Sequence, residues 1–155
     1  MKISVSIMAH PKRKRQAEEL YKKLIQYPFS DVYIIWDELN NEWHTGERSL
    51  KGGVVLGSDW HLVIQDDAVL TPHIYDNIEG LIAALPVKSV VSLYTGRVRP
   101  LPERVTEAVA KAPDGSFLTH YMMMWGVAIL LPSDQIEAML EFAADPMFRD
   151  DKYDI

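Results

Sequence analysis

Asp66 and Asp67 are adjacent carboxylates that follow directly on the apolar run "WHLVIQ", residues 60 to 65. That run reads as a buried strand. Two negative charges at its end repel each other unless a cation stands between or beside them. A hard divalent ion, Mg²⁺ or Mn²⁺, shared with substrate phosphates is an economical solution. Such ions favour carboxylate oxygens and are often held by one or two carboxylates plus phosphate oxygens. The plainer solution is a helix cap or a turn, with an aspartate accepting backbone N–H groups and no ligand involved.

Two other clusters fall at comparable places. "HPKRKR", His10 to Arg15, follows the apolar stretch "KISVSIMA", and Asp37 with Glu38 follows "DVYIIW". Residues 1–30 hold seven Lys/Arg against Glu18 and Glu19, while residues 134–155 hold seven acids against Arg149 and Lys152. A basic head and an acidic tail suggest a positive mouth for an anion and a separate carboxylate-rich region. Solvated surface charge is the plainer reading for most of these residues. A cationic first helical turn opposes the helix dipole, so Arg13 and Arg15 stand at some small cost. Of the histidines, His10 is the best placed for a ligand, while His44 and His61 have no partner at metal-ligand spacing. There is no HExxH, GxSxG, Walker A or GxGxxG pattern, which argues against zincin, serine-hydrolase, P-loop and dinucleotide-binding chemistry.

The elements that must position these residues alternate in type. Residues 2–9 read as a first strand, and Pro11 opens a helix whose Ala17, Leu20, Tyr21, Leu24 and Ile25 form one apolar stripe. Residues 31–37 read as a second strand. The polar, Gly-rich stretch 38–59 reads as a loop with a short helix near 48–56. The third strand spans 60–67. Thr71 and Pro72 look like the N-cap and first turn of a helix carrying Ile74, Ile78, Leu81, Ile82 and Leu85. A strand over 89–95, a short helix over 102–112, strands over 116–122 and 125–132, and a helix capped by Ser133 complete the pattern. Strands alternating with helices predict an α/β domain over 1–155. Its sheet is expected to be largely parallel, with antiparallel strands in the later half. Ligands of such sheets bind beyond the carboxyl ends of the strands, where the three clusters would meet.

The chain has 155 residues, 48% hydrophobic and 25% charged, with net charge -6. This is ordinary globular composition for one domain with its own core. No apolar run approaches the roughly 20 residues that span a bilayer, and the N-terminal apolar stretch is too short for a signal peptide. The lack of cysteine excludes disulfides and thiolate metal sites, and fits a cytoplasmic protein.

In order along the chain, "VSIMAHPKR", "GGVVLGSDW" with "VIQDDAVL", "VSLYTG", "WGVAILLP" and "FRDDKYDI" resemble the GT-A fold of nucleotide-sugar glycosyltransferases. They are most similar to small bacterial and phage-encoded members with an (E/Q)DD form of the DXD motif. The resemblance implies a GT-A-like, Rossmann-like twisted sheet. It also implies transfer of a sugar, from a UDP-sugar above other donors, to an acceptor hydroxyl on a glycan, a protein or a modified base in nucleic acid, with Mn²⁺ or Mg²⁺. Asp67 would hold the metal, and Asp66 would contact ribose or donor sugar. Gln65, where a strict D-x-D has an acid, would be a neutral ligand. His10 and Pro11 fall in the nucleotide loop, and Arg13 or Arg15 would hold the diphosphate or base. Asp37 would bind nucleobase or ribose, and Arg48 and Lys51 the phosphates or donor sugar. Asp150, Asp151 and Asp154 would take the acceptor proton if the reaction inverts, or orient substrate if it retains. Trp125 and Gly126 would shape the acceptor pocket. Such domains usually continue past the acidic segment, so the resemblance implies part of the acceptor side, or a late metal ligand, beyond Ile155. A nucleotidyltransferase on a similar sheet and a non-catalytic nucleotide- or carbohydrate-binding module are the competing readings. The first lacks its Gly-rich signature after strand one; the second is compatible with QDD.

Overall fold

The structure, a computed structural model, describes residues 1–94, 102–113 and 126–144. Five strands form one mixed sheet: β1 (Ile3–Ala9), β2 (Asp31–Trp36), β3 (Trp60–Gln65), β4 (Val91–Ser92) and β5 (Ala128–Pro132). Their order is β2-β1-β3-β5-β4. β1 runs parallel to both β2 and β3, and β5 is antiparallel to β3 and β4. Helices α1 (Lys14–Leu24), α2 (Glu42–Val55), α3 (Ile74–Ala84), α4 (Pro102–Lys111) and α5 (Ile136–Ala144) complete the chain. The expected α/β class and the split between parallel and antiparallel strands are both present. No helix among the described residues is long and apolar enough to cross a membrane.

The pleat of β1 divides the molecule into two layers. Ile3, Val5, Ile7 and Ala9 point to one face, where they pack with Trp60, Leu62 and Ile64 of β3, with Ala17, Leu20 and Leu24 of α1, and with Tyr75 and Ile78 of α3. Val63 and Leu131 point to the other face and meet Ile136 of α5, with Leu50 and Val54 of α2 against them. Ser4 and Ser6 also face this second layer, and both are fully buried. Their partner is His61, also fully buried. Its Nε2 lies 2.7 Å from the Ser49 carbonyl, which can only accept, so Nε2 carries the proton. Nδ1 therefore accepts from the Ser4 hydroxyl at 2.7 Å. Ser58 extends the chain to Ser4 (2.8 Å) and to Ser133 (3.0 Å). A buried polar network of this kind is stable only when every member is satisfied, and here it ties α2 and the turn before α5 to the sheet.

Several boundaries differ from expectation. α2 begins at Glu42, well before the short helix expected near 48–56. Asn41 caps it by accepting the His44 N–H at 2.9 Å. Two of its glycines stand where neighbouring elements leave no room for a side chain. A methyl group on Gly53 would stand 2.6 Å from His61 Cβ and 2.8 Å from Ile136 Cδ1, and one on Gly52 would meet the Tyr33 hydroxyl. Gly57, with φ +59°, follows the helix end, the usual left-handed terminator. β3 stops at Gln65, so the aspartate pair lies in the turn after it. α3 starts at Ile74, not at Thr71–Pro72, because His73 before it is left-handed at φ 58° and makes no side-chain cap. β4 is shorter than 89–95, and β5 starts at Ala128 rather than 125. Pro11 opens a single 3-10 turn before α1. Ile25, expected on the buried stripe, is 51% exposed because the helix ends before it. Ser133 does not cap a helix; its hydroxyl is taken by Ser58.

Candidate functional site

β2 and β3 lie on opposite sides of β1, so the chain leaves the carboxyl ends of β1 and β3 in opposite directions along the sheet. α1 and α3 follow these two strands on the same face and diverge. This is a topological switch point, where open α/β sheets bind ligands. The segments that meet there are His10 to Arg13 after β1 and Asp66–Asp67 after β3. The Asp66 N–H donates to the Met8 carbonyl at 3.0 Å, extending the β1–β3 pairing by one step.

Asp66 is buried, its side chain fully so. Oδ2 accepts the His10 N–H at 2.8 Å. Oδ1 lies 2.8 Å from Arg13 Nε. The N–H of that nitrogen is not aligned on Oδ1, which has charge compensation but no well-formed hydrogen bond among the described residues. Asp67, with its side chain half exposed, has Oδ2 3.9 Å from Arg13 Nη1. The short contact with Asp66 is the main influence raising the Arg13 guanidinium above its ordinary value. Partial burial opposes it, and the charges of Asp66, Asp67 and Glu42 add to it. One guanidinium thus faces both carboxylates, and the repulsion anticipated from the sequence is relieved within the chain.

The rest of the basic head is occupied differently. Arg15 is 89% exposed at its side chain and pairs with Glu19 at 2.9 Å, and Lys14 faces Glu18 at 3.8 Å. His10 Nδ1 accepts the Lys12 N–H at 3.1 Å, capping the 3-10 turn that Pro11 begins. Asp37 lies on the neighbouring strand end, where its N–H donates to Ala9 O at 2.8 Å. Its Oδ1 accepts from Asn41 N–H (2.9 Å) and Thr45 Oγ1 (3.0 Å), so this carboxylate anchors the start of α2. Arg48 donates to the Trp36 carbonyl at 3.3 Å, and Lys51 pairs with Glu47 at 2.7 Å. These two lie on the α2 face of β2 with Tyr33, Ile35 and Val55, in an open groove of about 370 Å³. A second open cleft, of about 500 Å³, lies between the start of α1 and the end of β2 and is lined by neither aspartate. Its lining includes Pro11, Lys14, Trp36 and Glu38. We place the site at the aspartates because buried charge and the switch point coincide there; the cleft adjoins it through the Pro11–Lys14 segment.

The carboxylates present fit a hard divalent cation. Asp67 offers an open carboxylate, Asp66 Oδ1 lacks an aligned donor, and Gln65 is half-buried with a neutral amide. No group of three or more His, Cys, Asp or Glu able to hold an ion gathers among the described residues. Phosphate oxygens would complete such a shell, as is usual for Mg²⁺. Gly126, expected on the acceptor side, is exposed just before β5. Trp125, Asp150, Asp151 and Asp154 lie outside the described residues.

Sequence reasoning missed two features. The first is the ion pair between Arg13 and Asp66; the loop arginine and the strand-end aspartate are 53 positions apart, and only the β1–β3 pairing joins them. The second is the His61 network, which a visible signal announced: Ser4 and Ser6 alternate with Ile3, Val5 and Ile7 in an otherwise apolar strand. No protein-family profile, curated protein or solved structure matches this chain.

Proposed function

We propose that this chain is a GT-A-type glycosyltransferase domain that moves a sugar from a nucleotide sugar, a UDP-sugar above others, to an acceptor hydroxyl. The observation that carries this reading is the meeting of Asp66, Asp67, Arg13 and the His10 backbone at the switch point of the sheet. In the transfer, the bond from the anomeric carbon to the phosphate oxygen breaks and its electron pair goes to the departing diphosphate. The anomeric carbon bonds to the acceptor oxygen, whose proton passes to a base. Stabilising the charge on the diphosphate is usually the largest catalytic contribution. A divalent cation held by Asp67 and Asp66 would supply positive charge to that leaving group. Arg13 supplies a second positive charge at the same place. The His10 N–H holds Asp66 in position through Oδ2. The cleft at Trp36 gives a flat aromatic wall for a nucleobase, with Glu38 and Lys14 at its rim. Asp150, Asp151 and Asp154 are assigned the acceptor proton through the resemblance alone.

The test is donor turnover. The protein is incubated with Mn²⁺ and, separately, UDP-, GDP- and CMP-linked sugars together with a mixed glycan and peptide acceptor pool, and release of free nucleotide is followed by phosphorus NMR. Release from one donor class, abolished by Asp67→Asn, supports transfer. A nucleotide that binds without release from any donor moves the reading to a non-catalytic nucleotide-binding module. Arg13 favours that second reading because it balances the charge of both aspartates without an ion.

A further inference from the structure

Asp66 Oδ2 is committed to the His10 N–H. The other Asp66 oxygen and one Asp67 oxygen face a single guanidinium, at 2.8 and 3.9 Å. The guanidinium is held by charge, while its Nε–H is not aligned on Oδ1. Its side chain is 46% exposed, so it has room to leave, whereas the Asp66 side chain is fully buried and does not. Arg13 is the last residue of the 3-10 turn and the N-cap position of α1, with no side-chain cap bond to hold it there. A swing of this side chain requires no change in the sheet.

We propose that Arg13 is an exchange latch. Without ligand it serves as the counter-cation of the aspartate pair. When a divalent cation enters between the carboxylates, it displaces the guanidinium, which turns to the diphosphate that arrives with the cation. This inference rests on the reading that the site takes a cation together with a nucleoside diphosphate. The exchange explains how a buried carboxylate is compensated before ligand arrives, since leaving it unpaired would be strongly destabilising. It also makes ion and diphosphate bind cooperatively. The ion alone must evict Arg13 into solvent, whereas with diphosphate present Arg13 gains a new partner of matching geometry. Coupling of this kind is reciprocal, so each ligand strengthens the other by the same factor.

The experiment measures Mn²⁺ binding by calorimetry and by the electron-spin signal of free Mn²⁺, with and without UDP, on wild type, Arg13→Gln and Arg13→Lys. Wild type is expected to bind Mn²⁺ weakly alone and about tenfold more tightly with UDP, within the usual range of coupling between sites. Arg13→Gln is expected to bind Mn²⁺ alone about tenfold more tightly than wild type and to lose most of the gain from UDP. Arg13→Gln is also expected to melt below wild type in EDTA and to recover with Mn²⁺. If Arg13→Gln does not fold without the ion, Arg13→Lys carries the test, since a lysine lacks the second arm that spans both carboxylates. It is expected to bind Mn²⁺ alone more tightly than wild type. A wild type that binds Mn²⁺ and UDP together, with neither variant binding Mn²⁺ alone any tighter, overturns the latch and leaves the functional reading standing. Binding of neither Mn²⁺ nor UDP to any of the three proteins overturns both.

Discussion

Lowering the pH should destabilise this protein by way of a buried residue, His61, that takes no part in the proposed site. His61 is wholly buried between β3 and α2. Burial pushes its imidazole down from 6.5 to about 4, with the Ser49 carbonyl, which favours the proton, only partly opposing. Below the unfolded value of about 6.5, the unfolded chain takes up a proton that the folded chain refuses until pH falls to about 4. Stability from this group is therefore complete above the first value and lost as pH falls through the second. The slope reaches about 1.4 kcal/mol per pH unit, and between about pH 7 and pH 5 the loss comes to about 2 kcal/mol. The assay is the urea midpoint at each pH for wild type and His61→Gln, converted with a common slope. The glutamine lowers stability at every pH, by about 1–3 kcal/mol, because Ser4 and Ser49 lose well-placed partners. All other titrating groups are shared, so the difference between the two curves isolates His61. The curves should approach each other as pH falls. Parallel curves down to about pH 5 would refute the account of a neutral histidine satisfied by Ser4 and Ser49.

Three further outcomes follow from the packing. Gly53→Ala places a methyl group 2.6 Å from His61 Cβ and should lower stability by about 1–3 kcal/mol in chemical denaturation, as overpacked sites do. Asp66→Ala strands the His10 N–H as well as removing the partner of Arg13, so it should lose about 1–3 kcal/mol; Asp66→Asn, which still offers that N–H an oxygen, should lose less. Asp67→Asn removes a half-exposed charge 3.9 Å from Arg13 and should leave the melting temperature within a degree or two of wild type, since such pairs contribute under about 1 kcal/mol, while abolishing Mn²⁺-dependent nucleotide binding.

The layer arrangement was legible because its signals are local. β1 and β3 are runs of β-branched and apolar residues, and α1 has a clean stripe in Ala17, Leu20 and Leu24. α2 was largely hidden. The Gly-rich composition reads as loop by propensity, so only 48–56 was expected to be helical, yet the tight approach of Tyr33 to Gly52 and of His61 and Ile136 to Gly53 requires glycine at these two helical positions. Tertiary packing outweighed an intrinsic preference of about 1 kcal/mol per glycine. At the site, the sequence located the aspartate pair and the basic loop at the same end of the sheet. It left open what neutralises the pair. Asp37 looked like a ligand group because it ends a strand, but only the fold brings Asn41 and Thr45 round to its Oδ1. Helix caps of that kind depend on a turn whose path the sequence does not declare.

The central claim is that the Asp66–Asp67 corner receives a nucleoside diphosphate with a divalent ion. The most direct measurement is the melting temperature of wild type and Asp67→Asn with UDP, GDP, CMP and ATP, each in Mn²⁺ and in EDTA. A ligand at one hundred times its Kd adds about 2.7 kcal/mol, a readily visible shift. The account predicts a shift with one diphosphate, present in Mn²⁺, absent in EDTA and lost in Asp67→Asn. No shift with any nucleotide would contradict it, and would leave Asp66 and Arg13 as a structural clasp between β1 and β3.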